Sequence, residues 1–190
     1  MGKTTPKDFR LVWVDLEMTG LDPRTDRIIE IASLITDSEL NIIAKGPELV
    51  IYEPKESFAK MDDWNQKQHK KSGLWDLVVA SKMSREEAGL LTLDFIKTHT
   101  APKQGILAGN SIWQDRRFIQ KSWPSILDHL HYRLLDVSAI KLISQFWYPN
   151  KTFKKKDGHR SLSDIMESLA ELAYYRTQLF KTTDRTSLEL

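Results

Sequence analysis

The run Leu11-Val12-Trp13-Val14-Asp15-Leu16-Glu17 is dominated by β-branched, aromatic and aliphatic side chains and meets the turn signal Thr19-Gly20-Leu21-Asp22-Pro23. This pattern predicts a buried strand over 11–17. A second strand is expected over 28–36, where Ile29, Ile31 and Ser33 alternate with Ile28, Glu30 and Ala32. A third is expected over 49–52, after the break at Gly46-Pro47. Three strands in succession read as a meander. Ser84-Arg85-Glu86-Glu87 then has the Ser-x-x-Glu form of a capping box, and Ala88, Leu91 and Phe95 recur behind it at helical spacing, so an amphipathic helix is predicted to end near His99, before Pro102. A short strand at 106–108 stops at Gly109-Asn110-Ser111, where Ser111 and Gln114 repeat the capping pattern at the start of a helix carrying Asp115. A fifth strand, 134–137, turns directly into a helix with Ile140, Ile143, Phe146 and Trp147 on its apolar side, stopping at Pro149. A Lys-rich loop over 150–158, with Lys154-Lys155-Lys156 at its centre, precedes a last helix from about Ser161 to Phe180 that carries Ile165, Leu169, Leu172 and Leu179 on one face. Residues 182–190 read as a frayed tail. Strands first in succession, then alternating with helices, predict an α/β fold: a mixed five-stranded sheet with helices on both faces, in one domain over 1–181.

Composition narrows the chemistry. The chain has 190 residues, 41% of them apolar, and its 28 basic and 26 acidic side chains leave a net charge of only +2, so any nucleic-acid contact is expected to be local. No apolar run approaches the roughly 20 residues that a bilayer span needs, and the short polar segment before residue 11 leaves no room for a signal peptide, so a cytoplasmic protein without membrane contact is expected. With no cysteine in the sequence, disulfides, thiolate nucleophiles and Cys-ligated zinc are excluded, and any metal has to sit on carboxylates and histidines.

Asp15 and Glu17 lie two apart on the first predicted strand, so both carboxylates project from one face, about 6 to 7 Å apart at the backbone. Inside an apolar strand such a pair repels and loses hydration unless a cation compensates, and oxygen-only donors favour Mg²⁺ or Mn²⁺. A lone Asp-x-Glu is common on solvent-facing strands and decides little. The following Met18-Thr19-Gly20-Leu21 adds weight, because a glycine turn brings backbone and two apolar side chains to the mouth of the same site. Asp115 at a helix start is equally consistent with compensation of the helix dipole. His159 and Asp164 form a His-x₄-Asp pair before the last helix, where Ser161-x-x-Asp164 also resembles a capping box.

Together, the strings Trp13-Val14-Asp15-Leu16-Glu17-Met18-Thr19-Gly20-Leu21, Asp26-Arg27-Ile28-Ile29-Glu30-Ile31-Ala32, Met61-Asp62-Asp63-Trp64-Asn65, Gly109-Asn110-Ser111-Ile112, Gln114-Asp115-Arg116-Arg117-Phe118, His131-Tyr132-Arg133 with Leu135-Asp136-Val137-Ser138, and Glu167-Ser168-x-Ala170-Glu171-Leu172-Ala173-Tyr174-Tyr175-Arg176 make the sequence resemble the DEDDh 3′-to-5′ exonucleases of RNase H-like fold. Within that superfamily they resemble the oligoribonucleases. The resemblance covers about residues 10–180. It implies that Asp15, Glu17, Asp115 and Asp164 hold two Mg²⁺ or Mn²⁺ ions and that His159 is the general base. It implies, too, that Met18, Leu21, Trp64, His69 and Ser111 grip a short single-stranded RNA of two to five nucleotides. Tyr132, Arg133 and Ser138 are expected to close over its 5′ phosphate, from the rim or from the second subunit of a homodimer. Many relatives carry two adjacent acids where this chain has Ser163-Asp164, and a small residue where it has Trp113. Two other readings stand beside this one: a superfamily member acting on long RNA or DNA, and a silent RNA-binding module that kept the fold.

Overall fold

The computed structural model describes residues 9–154 and 160–180. The first apolar run forms strand β1 (Arg10–Met18), followed by β2 (Ile28–Thr36) and β3 (Ile42–Val50), and later by β4 (Gly105–Gly109) and β5 (Leu134–Asp136). Their order in the sheet is β3-β2-β1-β4-β5, with the first three antiparallel and β4 and β5 parallel to β1. The predicted mixed five-stranded sheet is therefore the observed one. The expected tail at 182–190 lies outside the described residues.

Side-chain alternation along β1 divides the core in two. Val12, Val14 and Leu16 face α3 (Arg85–His99), α4 (Ile112–Ser122) and α5 (Pro124–His129), packing with Ile96, Phe118, Ile119 and Ile126. Leu11 and Trp13 face the other way, against Val137 of α6 (Val137–Trp147) and Ile165, Leu169 and Leu172 of α7 (Ser161–Leu179). Trp13 is fully buried, and its indole N–H donates to Thr36 Oγ1 at 3.1 Å, which satisfies its one polar atom. Every residue of β2 is buried, so the charged member Glu30 is as anomalous in that strand as Asp15 is in β1.

Several expectations need correction. The third strand runs through Gly46-Pro47 instead of starting after it and ends at Val50, so Tyr52 is not part of it. As an edge strand it tolerates a proline, and the register shift between Ala32 and Leu34 marks the bulge that absorbs it. The fifth strand ends at Asp136, whose carboxylate caps α6, so Val137 is already helical. Ser84 does cap α3, accepting the Glu87 N–H, but neither Ser111 nor Ser161 caps its helix with its side chain. Glu30 does this for α7, accepting the Ser161 N–H at 3.0 Å. Among the described residues, three α-helices have no counterpart in the expectations. They are α1 (Asp63–Lys71), capped by Asp62, α2 (Leu74–Ala80), and α5, begun by Pro124; the polar composition of α1 hides its short buried side, Asn65 and His69.

Gly46 faces the α3 side, where a Cβ would come within 2.6 Å of the Phe95 ring. Gly46→Ala is expected to lower the unfolding free energy by about 1 to 3 kcal/mol through overpacking. An unchanged urea midpoint would contradict this packing account.

Candidate active site

Asp15 and Glu17 continue the alternation of Leu11 and Trp13, so both carboxylates emerge on the face that α7 covers. α7 delivers Asp164 from its first turn, and carboxylate oxygens of Asp15, Glu17 and Asp164 lie within 4.8 Å of one another. Asp115 comes from the opposite layer. Set in the first turn of α4, it reaches the end of β1, where its Oδ1 accepts the Leu16 N–H at 3.0 Å.

Crowding four acids here is electrostatically costly. Burial first, then the charges of Asp115, Glu17, Asp164 and Glu30, hold Asp15 well above the ordinary carboxylate range. Glu17 is pushed up to about 8 by burial, then by Asp164, Glu30 and Asp115, while the Arg160 guanidinium works the other way. Burial raises Asp115 to about 7 against the opposing pull of its own and the Leu16 backbone N–H groups. Oxygen donors this close, with no thiolate in the chain, fit a hard divalent cation, whose charge would remove the repulsion.

Glu30 sits opposite Glu17 in the β1–β2 register and is fully buried. Its two oxygens are occupied, Oε1 by Arg160 Nε at 2.9 Å and Oε2 by the Ser161 N–H. Arg160 also reaches Glu48 at 3.3 Å, so one guanidinium ties α7 to both β2 and β3. Reading the sequence for function misses Glu30 and Arg160. The signal for Glu30 is the one that marks Asp15: an acid where its apolar neighbours predict burial.

Around the acids stand the expected rim residues. Leu21 and Trp64 are 68% and 63% exposed. The Leu21 carbonyl accepts from Gln114 Nε2 at 2.7 Å, which ties the β1–β2 turn to α4. Gly20 is required within that turn, since a Cβ there would strike the Asp26 carboxylate, which accepts from the Thr19 hydroxyl and the Asp22 N–H. His69 is buried on α1, its Nε2 2.9 Å from the Met18 carbonyl oxygen and its Nδ1 3.9 Å from Glu17 Oε2, so α1 is fastened beside the half-buried Met18. Ser111 takes a left-handed backbone, φ 49°, a conformation costing a non-glycine residue about 1 to 3 kcal/mol. Its N–H donates to Asp136 Oδ1 and Ser138 Oγ, both at 2.9 Å.

Tyr132 and Arg133 lie elsewhere. The His131 N–H donates to the Gly105 carbonyl, and Gly105 pairs with Arg10, so this segment is level with the start of β1. Leu134 pairs with Leu107 and so lies level with Val12, which sets Asp15 about 10 to 16 Å further along the strand direction and two strand spacings across. Ser138, in contrast, touches Ser111 within the same chain. Position 159 lies outside the described residues.

Comparison with known proteins places this geometry. Exonuclease I structures superpose on the fold: a complex of the Escherichia coli protein with a dA16 oligonucleotide gives a TM-score of 0.63 at 14% identity, covering 90% of this chain and 41% of that one. Exonuclease I from Methylocaldum szegediense gives 0.60 at 16% identity over 90% of this chain and 41% of its own. This chain thus spans about two fifths of the length of those structures, and the shared part defines an RNase H-like α/β fold. The family model described as Exonuclease matches residues 12–172. The oligoribonuclease of Shewanella loihica is 50% identical over 176 residues, covering 92% of this chain and 97% of that one; that of Vibrio parahaemolyticus is 49% identical, with the same coverage. The chain belongs to the exonuclease family and, within it, to the oligoribonucleases.

Raised acids have a thermodynamic consequence. Between the ordinary glutamate range and about pH 8, the folded metal-free chain holds protons that the unfolded chain has released. Its stability therefore falls as pH rises through that window, and the penalty is absent below it. Urea midpoints measured in EDTA at about pH 5 and about pH 8 should show this fall, and Glu17→Gln should flatten it. Equal slopes in the two chains would contradict the assignment.

Proposed function

We propose that this chain is a 3′-to-5′ exoribonuclease acting on short single-stranded RNAs of two to five nucleotides, dinucleotides above all, and releasing 5′-mononucleotides. The observation that carries this reading is the convergence of Asp15, Glu17 and Asp164 from two elements, with Asp115 at their edge, in a chain of the oligoribonuclease branch. Those four acids would hold two Mg²⁺ or Mn²⁺ ions. When bound, such ions supply acidification of an attacking water and stabilisation of the leaving 3′ oxygen. His159 accepts the proton of that water, a task suited to an imidazole that titrates near neutrality. Leu21 wedges between the two bases and Trp64 stacks on one, a contact worth about 1 to 3 kcal/mol per base without reading sequence. Met18 and His69 shape the floor beside Glu17.

Ser111 and Ser138 bind the 5′ phosphate from within the chain, whereas Tyr132 and Arg133, set toward the opposite end of the strands from the acids, act on the site of a second copy. A homodimer is proposed on that ground. The exposed apolar side of α6, with Phe146 72% and Trp147 70% exposed, offers surface to bury in it. Among the described residues no helix is long and apolar enough to cross a membrane. The proposal includes a single catalytic domain over 1–181 and a cytoplasmic location.

Asp15→Ala should reduce dinucleotide hydrolysis at least about a hundredfold, and EDTA should abolish it; full activity in either case sinks the reading. Rates on two-mers should exceed those on twenty-mers, whereas a rise with length would favour a nuclease of long strands. Tyr132→Ala should harm dinucleotides more than a chromogenic mononucleotide ester. Equal losses on the two substrates would remove Tyr132 from the 5′ cap.

A further inference from the structure

Leu21 stands in the β1–β2 turn with most of its surface exposed, so packing of its own side chain does little to fix its place. The turn is braced within itself. The Asp26 carboxylate accepts from the Thr19 hydroxyl and the Asp22 N–H, and the Asp26 N–H donates to the Asp22 carbonyl at 2.8 Å, which joins residues 19–26 into one unit. Two helices then hold that unit against the rest of the molecule. His69 of α1 meets the Met18 carbonyl, and Gln114 of α4 donates to the carbonyl of Leu21 itself.

Gln114 is buried, and its amide has one workable direction. A backbone carbonyl only accepts, so Nε2 faces Leu21; a guanidinium only donates, so Oε1 faces Arg117, whose Nη1 gives it a bond of 2.8 Å. The reversed amide would lose both bonds. The Arg117 guanidinium also lies 5.9 Å from the centre of the Trp113 ring, a second contact that steadies it. Next along the helix, Asp115 accepts the Leu16 N–H at the end of β1. Two consecutive residues in the first turn of α4 thus hold the exposed leucine and the strand end that bears the acids, so α4 sets the distance between them.

We infer that Gln114 is a positioning residue: by holding the Leu21 carbonyl it keeps the leucine side chain at a fixed distance from the acids, and so sets how firmly a two-base substrate is gripped. Gln114 acts through Leu21 and touches no substrate. This inference rests on the proposed role of Leu21 between the two bases. It extends that role by making recognition of the second base depend on a side chain inside α4.

The test compares KM and kcat of the full chain in Mn²⁺ on 5′-phosphorylated diadenylate and on the same dinucleotide with an abasic 5′ nucleoside, which leaves Leu21 no second base to separate. Gln114→Met keeps length and bulk but cannot donate. It should raise KM on diadenylate about three- to tenfold, the weight of one neutral hydrogen bond, with kcat within about twofold and KM on the abasic dinucleotide little changed. Gln114→Glu keeps a partner for Arg117 but sets an oxygen against the Leu21 carbonyl; it should give the same pattern, and stands in for Gln114→Met should that variant fold poorly. Leu21→Ala separates the two levels. If Leu21→Ala raises KM on diadenylate selectively and neither Gln114 variant does, the positioning role is overturned while the wedge stands. If Leu21→Ala leaves that KM unchanged, the wedge fails and the inference with it. A rise of equal size on both dinucleotides, or a loss confined to kcat, would reduce Gln114 to a support of the fold and overturn the inference.

Discussion

Mutual repulsion among acids at the end of β1 is the constraint around which this molecule is organised. Asp15, Glu17 and Asp164 share a volume under 5 Å across, beside Asp115. Hydrophobic packing alone would expel such a group to solvent. Here it is held by elements that are fixed for other reasons: β1 by its central place in the sheet, α4 and α7 by the two apolar layers that the alternation of β1 creates. Free energy from burial on both faces is what keeps the acids together until a cation relieves them.

Compensation is distributed. Glu30 and Arg160 form the nearest counterpart, with the guanidinium moderating Glu17 while Glu30 fastens the start of α7. Two carboxylates facing each other across β1 and β2 thereby have opposite fates: Glu30 is matched with donors, and Glu17 is left raised. That difference separates an acid that holds a helix in place from one available to a ligand. On the other side, the left-handed Ser111 is kept by two acceptors on its N–H, so the strain of the turn is stored where substrate groups are proposed to bind.

Much of this was legible in the chain. Strand periodicity placed β1 and β2, and the Ser84 box opened α3 where expected, because those signals are local. The pairing of Asp15 with Glu17 on one face follows from alternation alone. Other features were hidden for physical reasons. The edge position of β3 lets it carry Gly46-Pro47, which a central strand would reject, and that turn-like pair masks its length. α1 is mostly solvated, so its periodicity is faint. Capping of α7 by Glu30 spans 131 positions and has no local trace, and the Ser111 and Ser161 capping patterns were misleading for the same reason: distant carboxylates supplied the acceptors. The placement of Tyr132 at the far end of the sheet is likewise invisible until strand register is known.

The most direct test is a calorimetric titration of the metal-free chain with Mn²⁺ near pH 7, in two buffers of different ionisation enthalpy, repeated with Asp15→Asn. Acids held above their ordinary range must lose protons as the ion enters. Saturable binding with net proton release, greatly weakened by Asp15→Asn, is the predicted result. Absence of saturable binding, or identical isotherms for the two chains, would contradict the claim that these four acids are gathered to hold cations.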